Sequence, residues 1–142
     1  MNEVEMVRVN KTLTIDDAAA FHGHKGPFLI IGYRAGMLAV EMLKPETEFD
    51  LEVEAHIPFR TPYSCILDGL QCATKCTLGK GNIRCFDSEE FILKIRDRRN
   101  SRAVKLRLKT KSLKSFLEEP IDVAARAAER LDIKEILEIL QE

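Results

Sequence analysis

The sequence predicts a single-domain protein of the α+β class, and three observations support this prediction. First, 142 residues fit one domain, and an apolar fraction of 45% with 32% charged residues is typical of a globular chain. Second, helical and strand patterns come in blocks rather than in regular alternation. Third, two strand patterns are separated by a short polar turn. We therefore expect an antiparallel sheet with a β-hairpin or meander, packed against several helices.

Two helices near the N-terminus are predicted from the residues at their ends. Thr14 can cap a helix over Ile15–His22, and Gly23 can end it in the left-handed conformation. Pro27 suits the first position of a second helix, which Lys44-Pro45 should end. This second helix is apolar over most of its surface, as in a buried dimer interface or a central core helix.

The strands are predicted from alternating apolar and polar residues. This pattern begins over residues 51–57 and describes a half-buried strand. A helix that opens at Thr61-Pro62 follows, and the turn of Gly79 to Asn82 breaks it. Three further strands are predicted, over 83–86, 91–95 and 104–108. The last two of these form a hairpin with one basic face.

The remaining segments predict C-terminal helices and no targeting signal. From Pro120 the apolar residues recur at helical spacing, so that residues 117–142 are expected to be helical. No apolar run approaches the roughly 20 residues that a membrane helix needs. The first ten residues contain acids and lack the apolar core of a secretory signal. We therefore expect a cytoplasmic protein that does not bind membranes.

Charge is distributed unevenly along the chain. The net charge is only −1, yet nearly every charged residue between Lys94 and Lys114 is basic, Asp97 being the exception. Such a segment can form a binding surface for an anionic partner. It can equally form solvated strand faces that pair with acidic segments of the same fold, which is the commoner case.

The densest chemical signal lies in the segment FHGHKGPF, from Phe21 to Phe28. His22 and His24 are separated by one glycine, whose flexible backbone allows both imidazoles to face one point. Imidazole is a common metal ligand and a general base near neutral pH. The free N–H groups of the following helix favour an anion. Alternatively, one histidine caps a helix end and the other is solvated.

A second signal comes from the cysteines. Cys65 lies in the first turn after Thr61-Pro62, where the helix dipole can lower the pKa of a thiol. Cys72 and Cys76 share its helical face but lie too far along the axis to bind the same metal ion. They are expected to be buried. Asp68, one turn beyond Cys65, can orient a ligand or hold a proton, or can be a solvated carboxylate.

The turn Gly79-Lys80-Gly81-Asn82 resembles the end of a phosphate-binding loop. It lacks the glycine five residues earlier and the Ser or Thr after the lysine that this motif requires. Lys80 can reach into a cleft from such a turn. The residues alone favour an ordinary connection between a helix and a strand.

Two motifs at matching positions indicate a family. The first is FHGHKGP at 21–27, followed by GYRA at 32–35. The second starts at Cys65, continues with Asp68 and Gln71, and ends with CTLGKGN at 76–82. In order and spacing they resemble FHGHxCPG, GYRA and the C, DxxQ, GCTxGKGN block of the FmdE family, which is named after formylmethanofuran dehydrogenase. The resemblance covers about residues 21–108.

The resemblance implies an α+β domain that forms homodimers, with the His loop (residues 22–26) and the Cys helix (the helix that carries Cys65) lining a metal-binding cleft. By position, the candidate metal ligands are His22, His24 and Cys65, and zinc or another transition metal suits this mixture. Members occur beside molybdenum or tungsten formylmethanofuran dehydrogenase, so a redox enzyme is an expected partner. In a catalytic member, the metal would activate water and Lys80 would stabilise negative charge. The remaining site candidates are Asp68 as a catalytic residue and Gln71 and Asn82 as supporting residues.

The chain departs from the family pattern at three positions. Gly26 stands where the family has its loop cysteine, Phe28 replaces the following glycine, and Lys75 replaces the glycine of GCT. A His-His-Cys set can still hold zinc with a water molecule in the fourth position. Without the loop cysteine, the site can also have lost its metal.

Two functions follow from these observations. The first is a metal-binding protein, either a metalloenzyme or an accessory factor of formylmethanofuran dehydrogenase or other redox metabolism. The second is a non-enzymatic binding module with a degenerate metal site, in which the basic hairpin with Arg98, Arg99 and Arg102 docks an acidic partner. Nucleic acid is the less expected partner because the hairpin lacks a platform of aromatic side chains.

Overall fold

A computed structural model describes residues 12–142, and this part of the chain contains six helices and five strands. The helices are α1 Ile15–His22, α2 Pro27–Leu43, α3 Cys65–Thr74, α4 Thr110–Glu118, α5 Ile121–Arg130 and α6 Ile133–Ile136. The strands are β1 Leu51–Ile57, β2 Ile83–Asp87, β3 Ile92–Asp97, β4 Ala103–Leu108 and β5 Leu137–Gln141. The acidic N-terminal segment, from which we expect no secretory signal, lies outside the described residues.

The five strands form one sheet in the order β2-β1-β3-β4-β5. Three of the four neighbouring pairs are antiparallel, and the β3–β4 pair is the predicted hairpin. The β1–β2 pair is parallel, because α3 carries the chain from one end of β1 back to the start of β2. The α+β class is therefore confirmed, with one parallel pair in a mostly antiparallel sheet.

The helix ends near the N-terminus follow the predicted chemistry. Thr14 accepts a hydrogen bond from the backbone N–H of Asp17, and the Asp17 carboxylate accepts one from the N–H of Thr14. Gly23 ends α1 with a φ of 112°, in the left-handed region. Pro27 is the first residue of α2, so a loop of only four residues joins the two helices.

Helix α2 lies in the core of the single chain. Ten of its residues are buried, and its apolar side chains pack with the inner face of the sheet and with α3 and α5. Its broad apolar surface therefore needs no second copy of the chain. Of the two explanations for this helix, the structure supports the central core helix.

Helices α2 and α3 approach each other very closely at two glycines. A Cβ atom on Gly32 would lie 2.0 Å from the carbonyl oxygen of Ile66, and one on Gly69 would lie 2.1 Å from that of Leu29. Neither position can carry a side chain without moving backbone. This contact between the GYRA segment and the Cys helix brings Cys65 and Asp68 beside the His loop.

Arg34 of the GYRA segment connects α5 to this pair of helices by hydrogen bonds. Its guanidinium donates to the carbonyl oxygens of Ala128 and Leu131 at 2.8 and 2.7 Å. These carbonyls belong to the end of α5, where intrahelical partners run out. Burial lowers the pKa of Arg34. Helix α5 is thereby held where Ile121 can reach the His loop.

The C-terminal prediction was partly wrong. Helices α5 and α6 were expected, but residues 137–141 form strand β5, which pairs with β4. Leu137 and Leu140 fit a helical stripe with Ile133 and Ile136, whereas pairing with the free edge of β4 favours the strand. Helix α4, between the hairpin and Pro120, was not predicted. Residues 117–142 are therefore not all helical.

Candidate functional site

The His loop and the first turns of α3 lie side by side. His22 is the last residue of α1, and Cys65 is the first residue of α3. Helix α3 was predicted to open at Thr61-Pro62 but begins at Cys65, three residues after Pro62, and the Thr61-Pro62 peptide bond is cis. The three candidate ligands, His22, His24 and Cys65, all line one cavity of about 180 Å³.

Asp68 holds the imidazole of His22 in a fixed orientation. Its Oδ2 lies 2.6 Å from His22 Nδ1. The other oxygen, Oδ1, accepts a hydrogen bond of 3.2 Å from the side-chain amide of Gln71. Gln71 in turn accepts one of 3.0 Å from the backbone N–H of Leu78. The predicted supporting role of Gln71 thus has a geometric basis, since it fixes the carboxylate that fixes the histidine.

The second ring nitrogen of His22 has no partner. Nε2 is buried and makes no hydrogen bond within the described residues, and the His22 side chain is only 10% exposed. A neutral His22 that donates from Nδ1 to Asp68 carries its lone pair on Nε2. Leaving a buried acceptor unpaired costs about 1–3 kcal/mol. A carboxylate on one imidazole nitrogen and a free lone pair on the other is the arrangement of a metal-binding histidine.

His24 lies over Gly26. The ring centroids of His22 and His24 are 4.7 Å apart, and a Cβ atom on residue 26 would lie 3.0 Å from His24 Nε2. His24 therefore occupies the space in which the side chain of the family's loop cysteine would begin. Because the backbone of Gly26 is extended, with φ of −103°, the position tolerates a side chain if His24 moves. The substitution at residue 26 thus changes the placement of a neighbouring candidate ligand.

Cys65 is half-buried and has a free thiol. Burial and the nearby charge of Asp68 raise the pKa of this thiol, although a backbone hydrogen bond acts in the opposite direction. The pKa of this thiol is therefore raised and not lowered as its position at the start of the helix predicted, because burial and the Asp68 carboxylate both disfavour the thiolate. Without a cation beside it, Cys65 is a protonated thiol near neutral pH.

Cys72 and Cys76 are buried, as predicted, but Cys76 does not share a helical face with Cys65 and Cys72, because α3 ends at Thr74 and Lys75 is in the left-handed conformation. Cys76 donates from Sγ to the carbonyl oxygen of Leu51 at 3.2 Å, so it links the end of α3 to β1. Burial raises the pKa of both thiols. These cysteines are parts of the core.

A larger cleft of about 630 Å³ lies on the other side of His22, between α3 and the edge strand β2. His22 and Cys65 line both cavities, and Asp68 and Gln71 line the larger one. The candidate residues therefore separate a small cavity near α4 and α5 from a large cleft beside β2. The other residues that form this cleft, from β2 and from the 59–64 segment, were not predicted as site residues.

Two candidates lie away from the cavities. Lys80 donates from Nζ to the Thr77 hydroxyl at 2.9 Å within its own turn, and lines neither the small cavity nor the large cleft. Asn82 is buried, accepts a hydrogen bond from the backbone N–H of Thr77, and donates to the carbonyl oxygen of Glu48. Both residues brace the turn between α3 and β2, and the catalytic role of Lys80 stays a prediction.

The three candidate ligands, His22, His24 and Cys65, meet only some of the requirements of a metal site. Within residues 12–142, no three His, Cys, Asp or Glu side chains lie close enough together to hold an ion as they stand. His22 has the free, oriented nitrogen that a ligand needs, while His24 and Cys65 reach the same cavity without converging on it. His24 is exposed, and its side chain is therefore free to change rotamer.

The arginines of the basic hairpin are held by contacts within the chain. Arg99 binds the fully buried Asp97, with Nη2 3.0 Å from Oδ2, and also donates to the carbonyl oxygens of Leu43 and Lys44 at the end of α2. Arg102 donates to the carbonyl of Met42, and Arg98 lies near Glu52. The commoner explanation for this charge run, pairing with acidic and carbonyl groups of the same fold, accounts for these arginines.

None of the helices formed by residues 12–142 has both the length and the apolar character that crossing a membrane requires.

Comparisons with known proteins agree with the motifs. Residues 21–141 match the family described as "FmdE, Molybdenum formylmethanofuran dehydrogenase operon". This match extends well beyond residue 108, where the motif resemblance was expected to end, and includes α4, α5 and β5. A crystal structure of a tungsten formylmethanofuran dehydrogenase FmdE-like protein from Syntrophus aciditrophicus has a similar fold. It gives a TM-score of 0.61 at 23% identity, over 90% of this chain and 69% of that one.

A curated relative is a probable S-adenosyl-L-methionine-binding protein from Archaeoglobus fulgidus. It is 29% identical over 132 residues, which cover 88% of this chain but 36% of that protein. The chain thus spans little more than a third of the length of this relative. The family match over residues 21–141 covers most of the chain. With the His loop, the Cys helix and the α+β sheet in place, the chain belongs to the FmdE family.

Proposed function

We propose that this protein is a metal-binding member of the FmdE family that uses His22, His24 and Cys65 to bind a transition metal ion such as zinc. One observation supports the proposal most strongly: His22 Nε2 is buried and unpartnered in the described part of the chain, while Asp68 holds Nδ1 at 2.6 Å. Such a nitrogen is satisfied by a cation, and the carboxylate increases its basicity as a ligand.

The three residues would have different roles in binding. His22 is already oriented by the carboxylate of Asp68, which Gln71 holds in turn. His24 would bind after a change of rotamer, and Cys65 would lose its thiol proton, so that binding would release a proton. Imidazole and thiolate ligands together favour zinc over magnesium or calcium.

A bound ion would supply a Lewis acid at the junction of the two cavities. A role as a metalloenzyme or as an accessory factor of formylmethanofuran dehydrogenase would use this junction, which His22 and Cys65 line on both sides. The expected homodimer and cytoplasmic location belong to the same proposal, and both come from family resemblance and sequence rather than from a contact in this chain.

Elemental analysis of the untagged protein tests the proposal, beside His22→Ala and Cys65→Ser. Two variants serve as matched controls: His56→Ala removes a histidine of β1 that lines neither cavity, and Cys72→Ala removes a buried thiol. We expect about one zinc or other transition metal ion per chain in the wild type and both controls, and its loss in both site variants. A wild type that takes up no metal even after zinc is added would refute the proposal.

A further inference from the structure

The cleft of about 630 Å³ has the size of a site for a small organic molecule, since such sites usually measure about 300–1,000 Å³. Helix α3 contributes Cys65, Leu67, Asp68 and Gln71, and strand β2 contributes residues 83–86. The cleft lies beside β2, which is an edge strand of the sheet. A small molecule can therefore enter the cleft from solvent without displacing another strand.

Three large apolar side chains at this cleft are exposed. Phe59 is 66% exposed, Leu78 81% and Phe86 42%, and they come from three separate segments of the chain. Scattered exposed apolar residues are normal on a protein surface, but a group that lines one concave site is typical of a binding surface. The cleft therefore offers an apolar wall to the body of a ligand.

Arg84 is the one Lys or Arg side chain among the residues that line the cleft. Arg84 is exposed, and its guanidinium forms no hydrogen bond or ion pair with any residue in the described part of the chain. Asp68 also lines the cleft and is negatively charged, but its two oxygens are directed to His22 and Gln71, while Asp87 accepts a hydrogen bond from the backbone N–H of Phe59. Glu54 is the register neighbour of Arg84 in β1, but its carboxylate lies 3.7 Å from His56 Nε2.

We infer that this cleft binds a small amphipathic organic anion, with its apolar body against Phe59, Leu78 and Phe86 and its anionic group at Arg84. The polar hydroxyls of Thr61 and Ser64 at the same cleft supply further hydrogen-bond donors. The inference deepens the proposed function, because it names the class of molecule that would lie beside His22 and Cys65. Binding of the anion itself does not require the metal.

Two fluorescent probes with the same apolar body test this inference. Anilinonaphthalene sulfonate is an amphipathic organic anion, and N-phenylnaphthylamine is its counterpart without the sulfonate. We would titrate both into the 142-residue protein in the presence of EDTA, so that metal is absent. We expect the anion to bind about fivefold more tightly than the neutral probe, the size of effect that one exposed charge pair gives.

Single substitutions test which side chains of the cleft bind the two probes. Arg84→Gln should remove the preference for the anion and leave the affinity for the neutral probe unchanged. Leu78→Ser should weaken both probes, because it shortens the apolar wall. Arg107→Gln, which removes a positive charge paired with Glu138 elsewhere on the sheet, should change neither. Thermal unfolding of each variant confirms that it is folded.

Failure of this inference can be distinguished from failure of metal binding. His24 does not line the large cleft, so His24→Ala should lose the metal and keep the preference for the anionic probe. Equal affinities for the two probes, or an anion affinity that Arg84→Gln leaves unchanged, would overturn the inference. So would a sedimentation result in which the chain forms a dimer and neither probe binds, since a second copy would then cover the cleft.

Discussion

The turn of the β3–β4 hairpin and the loop between α1 and α2 both carry dense polar groups, but they satisfy these groups differently. In the hairpin, the buried carboxylate of Asp97 accepts hydrogen bonds from the backbone and the guanidinium of Arg99. At the start of the loop, on the last residue of α1, His22 Nε2 is equally inaccessible and has no hydrogen-bond partner among the described residues. Satisfied groups stabilise a fold, whereas an unsatisfied one costs stability unless a ligand completes it. A high density of charged residues alone would therefore indicate the hairpin as the candidate site, whereas a buried nitrogen without a hydrogen-bond partner indicates the His loop.

The largest expected effect concerns the stability that the hairpin provides. Asp97→Ala should lower the free energy of unfolding by about 2–3 kcal/mol, because it removes several hydrogen bonds to a charged group and leaves the turn without its anchor. Urea denaturation followed by circular dichroism measures this difference. Zinc uptake by the folded variant should equal that of the wild type. If Asp97→Ala lost its metal while keeping wild-type stability, the hairpin would take part in metal binding, and its assignment as a purely structural element would be contradicted.

A second prediction concerns the loop. Asp68→Ala should weaken zinc binding by about 10- to 100-fold, because His22 loses the carboxylate that orients its ring. Calorimetric titration with zinc measures the affinity, and Glu54→Ala is a control that removes an acidic group lying near a different histidine, His56. Zinc affinity that Asp68→Ala leaves unchanged would show that the contact at 2.6 Å serves only the fold.

A third prediction uses the departure from the family pattern at residue 26. Gly26→Cys should tighten zinc binding by about tenfold, since a thiolate is a soft ligand that suits zinc. The matched control is Gly26→Ala, which places a Cβ atom 3.0 Å from His24 Nε2 without adding a thiol. If the alanine variant tightens binding as much as the cysteine variant, displacement of His24 and not the new ligand is responsible.

The smallest expected effect is a pH dependence that belongs to the hairpin alone. The hydrogen bond from Arg99 holds the pKa of Asp97 below its ordinary value. A carboxylate with a depressed pKa in the folded state stabilises the protein above its unfolded pKa, and this contribution disappears as the pH falls through the folded value. Wild-type stability should therefore fall more steeply than that of Asp97→Asn below about pH 4, the range in which an unfolded aspartate titrates. Urea denaturation at several pH values measures the free energy of unfolding of both proteins. If this free energy fell equally with pH in the wild type and in Asp97→Asn, Asp97 would not be the source of the pH dependence.

Local chemistry explains why parts of the fold could be predicted from the sequence. Thr14, Gly23 and Pro27 act within one or two turns of their own position, and the observed ends of α1 and α2 coincide with them. Strand β5 could not be predicted in this way, because Leu137 to Gln141 becomes a strand only by pairing with β4. The parallel β1–β2 pair likewise depends on how α3 packs, which alternation along a strand does not reveal.

The candidate site shows the same limit. The motifs identified His22, Asp68 and Gln71, and the structure joins them in one hydrogen-bonded chain. They gave no sign that Lys80 bonds within its own turn, because a lysine side chain is long enough to point either way. The exposed side chains of the large cleft, such as Leu78 and Arg84, come from separate segments and meet only in the folded chain.

Titration with cobalt(II) is the most direct test of the central claim that His22 is a ligand prepared for a metal ion. Cobalt replaces zinc in many sites, and its absorption spectrum reports both four-coordinate geometry and thiolate ligation. We expect visible bands and a near-ultraviolet thiolate band in the wild type, loss of the thiolate band in Cys65→Ser, and loss of tight binding in His22→Gln. A wild-type spectrum equal to that of free cobalt, or one that His22→Gln leaves unchanged, would contradict the claim.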